Sequence, residues 1–334
     1  MNRFKDFLFR YKKWIKRIGF TLILIPVLVF GLLVAILYTK QDYFVGLALE
    51  QANKDFNGKI EVGGSHIAPF ANFPNISIDL EHLKIYESKA DSAACLLHLK
   101  DTYLGFDLTK LLSGDVVVKK IKLSDGTIDI RQHKDGSFNI ANALASKVPS
   151  EEVSEDLHLS LESIILDNVD ISKLNESTNL GVDLLIKKAE SRFHSHAKGI
   201  DFELDSDLKL SIIQHRDTTF FNNKHLEFQT QFSYLNEGSK LEFKETSLAF
   251  EKTLLDFNGS IQLTKDLFVD INLKGHKPDF NLFLSLAPPE LSEALKDFDN
   301  QGKIYFNASI KGNTANGQQP AINAHFGCKE GLLE

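Results

Sequence analysis

His194 and His196 stand two residues apart, so on a strand their imidazoles share one face. That is half of a metal site, because zinc needs three or four ligands and no nearby cysteine or further ligand completes this one. Asp201, Glu203 and Asp205 offer carboxylates of the kind that work as acid–base pairs. They alternate with Phe202 and Leu204, which reads instead as the wet side of a half-buried strand. Cys95 and Cys328 lie far apart; they can pair in an oxidising compartment, but their spacing does not require it, and there is no C-x-x-C. G-x-S-x-G, P-loop and H-E-x-x-H motifs are absent. Without a nucleophile–base constellation, no catalytic residue, metal or cofactor is expected, and the chain is not expected to be an enzyme. The remaining chemistry is that of apolar surface: 26 Phe against one Trp and one Met.

These apolar residues recur at every second position. Leu226, Phe228 and Phe232 oppose Glu227, Gln229 and Gln231. Leu255, Phe257, Ile261 and Leu263 oppose Asp256, Asn258, Ser260 and Gln262, and Leu267, Val269, Ile271 and Leu273 follow against Phe268, Asp270, Asn272 and Lys274. Ile304, Phe306, Ala308 and Ile310 oppose Tyr305, Asn307, Ser309 and Lys311. The same alternation runs through 75–80, 127–131, 157–162 and 201–205. Period two predicts antiparallel strands with one wet and one apolar face. A sandwich closes such faces against each other, whereas a long curved sheet leaves them as a groove; alternation alone does not choose. Phe228, Phe232, Phe243, Phe250, Phe257 and Phe306 are core in the first case and groove lining in the second.

Asp125-Gly126, Asp135-Gly136, Glu237-Gly238, Asn258-Gly259 and Asn316-Gly317 read as turns, with Asn258-Gly259, inside an alternating run, also readable as a bulge. Helices are expected at Asp42–Phe56, which Asn57-Gly58 stop, at Asn139–Lys147, and as a pair at Asn281–Leu286 and Pro289–Phe298. Ser150–Asp156 is an acidic break.

Upstream, Ile18 to Tyr38 carries no charge and, as a helix, is ~31 Å long, close to a hydrocarbon core. Arg3, Lys5, Arg10, Lys12, Lys13, Lys16 and Arg17 precede it against Asp6 alone, which places the N-terminus in the cytoplasm. A cleaved signal peptide would have a shorter apolar run and an A-x-A-like site, which Tyr38-Thr39-Lys40-Gln41 is not. The net charge is −7 with the basic residues concentrated before the anchor, so the exported part is acidic and nucleic acid is not an expected partner.

The order of features resembles the N-terminal region of the AsmA family: an anchor, a helix closing on Phe56-Asn-Gly-Lys-Ile-Glu-Val62, a proline-led strand within Ala68–Glu87, then Leu111-Leu112-Ser113-Gly114, Gly126-Thr127-Ile128 and Asp135-Gly136-Ser137-Phe138-Asn139. Asp279–Gly312 resembles a later family segment. The resemblance implies an inner-membrane protein related to bridge-type lipid transfer proteins, whose sheets curl into a trough with an apolar floor. Family members usually continue past this length, so the stop at Glu334 is expected to mark a truncated reading frame or a fragment.

The expected architecture is therefore mainly β: a cytoplasmic segment (1–17), a transmembrane helix (18–38), an N-terminal β region with its starting helix (39–149), the acidic linker (150–156) and a continuing β-groove region (157–334). The groove is expected to be an elongated, curved antiparallel sheet with few helices, lined by Phe228, Phe232, Leu255, Phe257, Ile261, Leu263, Val269, Ile271, Ile304 and Phe306. Phospholipid and the inner membrane are the expected partners, with the bulk of the chain in the periplasm and a lipid entrance beside the anchor. The alternative is a scaffold that assists outer-membrane protein assembly through contacts with envelope proteins.

Overall fold

The computed structural model describes residues 52–72, 75–113, 117–145, 158–214, 221–251, 253–263, 267–275, 303–314 and 321–329, with isolated positions between and before them. The expected membrane helix lies mostly outside the described residues. At Leu24, Leu28, Leu32 and Tyr38 the chain is helical and exposed, and among the described residues no helix is long and apolar enough to cross a membrane. Every described position from Gln41 to Asp55 is helical. The acidic linker, Asn316-Gly317 and, apart from Glu293 and Ala294, the 281–298 helix pair fall outside the described residues.

The described strands form one mixed, 15-stranded sheet. Its strands are β1 (Lys59–Glu61), β2 (Gly64–Asn72), β3 (Asn75–Tyr86), β4 (Cys95–Phe106), β5 (Val117–Gln132), β6 (His158–Asn175), β7 (Leu180–His196), β8 (Gly199–Gln214), β9 (Asp217–Thr218), β10 (Lys224–Leu235), β11 (Lys240–Phe250), β12 (Thr253–Gln262), β13 (Phe268–Gly275), β14 (Lys303–Asn313) and β15 (Ala321–Lys329). Neighbours in the sheet follow chain order, with β1 and β2 sharing the free edge of β3 and β9 attached to β8. Besides the leading helix, whose described positions reach up to Asp55, the short helices are α1 (Leu108–Ser113) and α2 (Asn139–Leu144).

The sheet is not antiparallel throughout: β5 and β6 run parallel. After β5 the chain turns at Asp135-Gly136, where His133 N–H donates to Ser137 O, and runs through α2 before β6 begins. Parallel strands need such a crossover. Its anchor is Asn139, fully buried, whose Nδ2 donates to Asp129 O at 2.9 Å and whose Oδ1 accepts from Arg131 N–H and Ile140 N–H at 2.8 Å. Ala143, also fully buried, packs on Gly58, where an added Cβ would sit 2.5 Å from Tyr86 O. The Asp-Gly-x-x-Asn step is thus a clip tying the crossover to the start of the sheet. Asp107 caps α1, accepting from Thr109 N–H at 2.8 Å and Lys110 N–H at 3.2 Å.

A crease crosses β3 to β7. His82, Lys100, Asp125, Asn168 and Lys187 occupy successive points on one transverse line where the strand pairing skips a position in every strand. All five are exposed, and His82, Asp125 and Asn168 have φ of 51°, 51° and 55°. Each strand places two polar residues in succession there: Glu81-His82, Lys100-Asp101, Ser124-Asp125, Asp167-Asn168, Lys187-Lys188. The apolar phase therefore flips once in each strand, yet apolar residues stay on one face on both sides. At β8 the line ends in a bulge, since Ile186 and Lys188 flank one extra residue opposite Leu208 and Asp207. Asp125-Gly126 thus lies inside β5 as part of the crease and is not a turn. An added Cβ on Gly126 would lie 2.1 Å from His98 O, and with no side chain between them Leu99 and Val169, both fully buried, meet in one cluster with Leu97 and Ile128.

Candidate functional site: an apolar sheet face

Cross-strand register puts the apolar positions on one side of the sheet. Phe228 faces Leu248, which faces Leu255; Phe232 faces Phe243, which faces Gly259, Ile271 and Ile310 in turn; Ile261 faces Val269. Clusters of packed side chains lie along this face, and each is built from strands close together in the sheet. Among the described strands no second sheet covers it.

The face is filled unevenly. At its β3–β6 end Ile76, Leu99 and Val169 are fully buried, and Ile78, Leu80, Phe106 and Val118 form a buried cluster on which Val45 of the leading helix and Val62 pack. Over β7–β12 clusters around Leu208 and around Leu255 are packed, and beside them the surface opens. Phe193, Phe202, Phe232, Phe243 and Phe257, one from each of β7, β8, β10, β11 and β12, make an unbroken row. Centroid separations are 5.3 Å (edge-on), 4.7 Å (stacked), 5.6 Å and 5.8 Å, and all five are half-buried. Beside the row, Thr230 and Thr246 share a 2.7 Å hydrogen bond; farther along β8, opposite Phe228, Ser206 Oγ is buried without a partner. The register of β11 shifts against both neighbours at 244–245, one residue longer than β10 and β12 there.

Of the residues read from the sequence as groove lining, Phe228, Phe232, Phe257, Ile261, Val269 and Ile271 are half-buried on this face. Leu255 and Phe306 are instead buried with Phe250 in a packed cluster. Leu255 lies opposite Gly275 on β13, and Leu273 packs against the cluster that Leu255 and Phe306 share across that strand. Leu263 is exposed just past β12, and the side chain of Ile304 lies outside the described residues. Phe193 was not singled out by alternation because His194, Ser195 and His196 follow it; its place in the row depends on its pairing with Phe202.

The other face is polar and ion-paired. Asp201, Glu203 and Asp205 stand there on β8: Glu203 meets Arg192 at 2.9 Å, Asp205 accepts from Gln229 and Asp201 from Ser233. His196 Nε2 is 3.6 Å from Asp201. Asp207, His225 and Glu227 bring three potential metal-ligand atoms within 4.8 Å of one another. That cluster already has its cation, Lys187 Nζ, 2.9 Å from Asp207, and Lys187 and His225 together hold the Asp207 carboxyl below the usual carboxylate range. On β3, burial and then Asp101 push Asp79 up; it accepts from Thr102 N–H at 3.1 Å. At the tips of β3, β5 and β6, His133 bridges Glu176 (3.3 Å) and Glu87 (3.2 Å), and the bond to Glu176 contributes most to raising its pKa. Cys95 is an exposed free thiol.

A sequence model of the AsmA family matches residues 10–281. No curated protein and no solved structure matches the chain.

Proposed function

The chain belongs to the AsmA family, and from that premise we propose that it is a membrane-anchored periplasmic protein supporting phospholipid movement between the inner and outer membranes and, through it, outer-membrane homeostasis. The observation that carries this reading is an apolar face extending across the whole sheet and left half-exposed along the phenylalanine row of β7–β12, without a covering layer among the described strands. Each CH₂ of a lipid tail moved from water onto such a surface gains ~0.8 kcal/mol. A face offering similar burial at successive strands lets a tail move along it without a large barrier. The uncharged stretch 18–38, preceded by basic residues, supplies the anchor and the orientation. The protein acts by binding and guiding rather than by catalysis.

Photo-crosslinking from Phe257 or Ile261 tests the reading: lipid should be captured at both, and capture of protein alone at both positions overturns it. The second reading, an envelope scaffold, has one observation in its favour. Among the described residues β15 pairs only with β14, and its Ile322 is 70% exposed, a surface suited to strand addition by another protein. A stable protein partner purified without lipid would favour it.

A further inference from the structure

On the polar face, the pairing of β3 through β8 aligns Ser77, Gly105, Lys120, Ser163, Arg192 and Glu203 in one transverse row. Lys120, Ser163, Arg192 and Glu203 line a cleft of about 540 Å³ that reaches from Asn72 at one end to Lys244 at the other. We propose that this cleft binds a phosphate ester of a polyol, with the phosphate held by Lys120 and Ser163 and a hydroxyl of the ligand on Asn72. The site lies on the opposite side of the sheet from the apolar face and stands independently of the lipid-transport reading.

Two buried polar groups in the cleft lack partners. Asn72 is 3% exposed; its Nδ2 donates to Ser77 Oγ at 3.0 Å, and its Oδ1 accepts from nothing. Ser163 is 8% exposed and its Oγ is also unpaired. A buried polar atom without a partner is destabilising, and a ligand that supplies the partner removes that penalty. Room for one is built into the row at Gly105. An added Cβ there would lie 3.3 Å from Asn72 Cβ and 3.3 Å from Lys120 Cβ, so the missing side chain keeps open the gap between those two residues. Gly105 and Ser163 are two strand spacings apart, about 10 Å. A ligand that meets both Asn72 and Ser163 is therefore longer than a bare phosphate.

Charge decides the class of ligand. The acids of the cleft are already matched: Glu162 meets Lys119 at 2.6 Å, and Arg192 meets Glu190 at 3.3 Å and Glu203 at 2.9 Å. Asp201 accepts from Ser233 and lies 3.6 Å from His196. Lys120, half-buried in the row, has no acidic partner among the described residues, and Lys244 reaches only Gln231, at 3.5 Å. A half-buried cation beside a free hydroxyl donor suits an anion whose oxygens accept from both, as those of a phosphate do. Asn72 Oδ1 asks for the opposite, a donor, which an alcohol O–H supplies. A soluble sugar or glycerol phosphate combines the two groups, and so does a phosphoglycerol lipid headgroup. Both are within reach, because of how the leading helix lies. Asn53 bonds Ile60, which faces Ile85, and Gln41 donates to Ser65, which faces Leu80. The helix thus comes in from the end of β3 where Ser77 stands, the end nearer the expected anchor.

The test uses the full chain in maltoside micelles, which carry no phosphate. One arm adds glycerol phosphate in solution; the other dopes the micelles with phosphatidylglycerol. Lysine acetylation by acetic anhydride is read residue by residue by mass spectrometry. Labelling of Lys120 should fall in at least one arm, while Lys209, on the same face but outside the cleft, keeps its labelling. Protection by glycerol phosphate assigns a soluble ligand, and protection by phosphatidylglycerol alone assigns a headgroup. Inorganic phosphate at the same concentration should protect Lys120 less than the ester. Ser163→Ala removes a hydroxyl that has no protein partner. Its melting midpoint without ligand should therefore match or exceed that of wild type, while the ligand concentration for half-protection rises about tenfold, as loss of one hydrogen bond to a charged group does. Lys120→Gln should abolish the ligand-induced rise in melting midpoint. No protection in either arm, equal protection of Lys120 and Lys209, inorganic phosphate as effective as the ester, or an unchanged half-protection point in Ser163→Ala overturns the site. Lipid capture from Phe257 in the Lys120→Gln chain tests the transport reading separately, so that reading can stand when the cleft fails.

Discussion

Strands β3–β6 and strands β7–β12 carry the same alternation and reach opposite ends. In the first group the apolar face holds side chains with no exposed surface at all: Ile76, Leu99 and Val169 are fully buried, with half-buried neighbours such as Ile85 and Leu123 around them. In the second it stays half-exposed along a row of five phenylalanines. Alternation decides only which side of a sheet is apolar. Whether that side fills depends on whether side chains from strands two or three apart can touch. At β3–β6 three features accompany the packing: the crease at which each strand's apolar phase flips, the missing side chain at Gly126, and a helix residue, Val45, laid on top. Beyond β7 the crease has run out; clusters around Leu208 and Leu255 still pack, but along the phenylalanine row the large flat rings cover the floor without closing over it.

The comparison can be broken most severely at its filled end. Val169→Asp puts an unpaired charge where no water reaches, at several kcal/mol, and thermal unfolding should show loss of the cooperative transition, whereas Phe243→Asp should keep it. Leu99→Ala should cost about 2–5 kcal/mol by denaturant titration; Phe243→Ala, half-exposed to begin with, should cost clearly less. If the two costs are equal, the ends are equally packed and the contrast is wrong. Gly126→Ala forces a Cβ against His98 O and should destabilise by about 1–3 kcal/mol, as overpacking does, while Gly238→Ala, with nothing within 4 Å but φ of +78°, should cost only the smaller penalty of a left-handed turn position.

The smallest expected effect sharpens the comparison through pH. His133 ties the tips of β3, β5 and β6, and its pKa is raised by Glu176 and then Glu87. A raised histidine contributes stability fully below its unfolded value, ~6.5, and loses it as pH rises through the higher folded value. The melting midpoint of wild type should therefore exceed that of His133→Gln at pH 6 and approach it by pH 9. A gap that widens with pH would contradict the assignment.

Much of the fold was legible in the alternation of residues such as Leu255, Phe257, Ile261 and Val269, and in turns such as Glu237-Gly238. Two features were not. The parallel pairing of β5 with β6 depends on where the crossover through α2 returns the chain, and 133–157 carries no mark of that. The crease left a local trace, two polar residues between apolar ones in each of five strands, but one such pair reads as noise; only register aligns Glu81-His82 with Lys187-Lys188 across the sheet. Asp125-Gly126 was misleading for the same reason, since a turn and a crease ask for the same left-handed residue. At the site, Phe232 and Phe257 were visible as apolar positions, yet neither the continuity of the row nor the membership of Phe193 can be read without cross-strand neighbours. The burial of Leu255 and Phe306 depends on their meeting across β13, which alternation within one strand does not reveal.

The central claim is that the open face holds lipid, and the phospholipid content of the purified full chain tests it most directly. Wild type should carry phospholipid through purification, and the combined Phe202→Asp, Phe232→Asp and Phe243→Asp variant should lose it while keeping its β-sheet circular dichroism and cooperative melting. Phospholipid retained at the wild-type level by a folded triple variant would contradict the account.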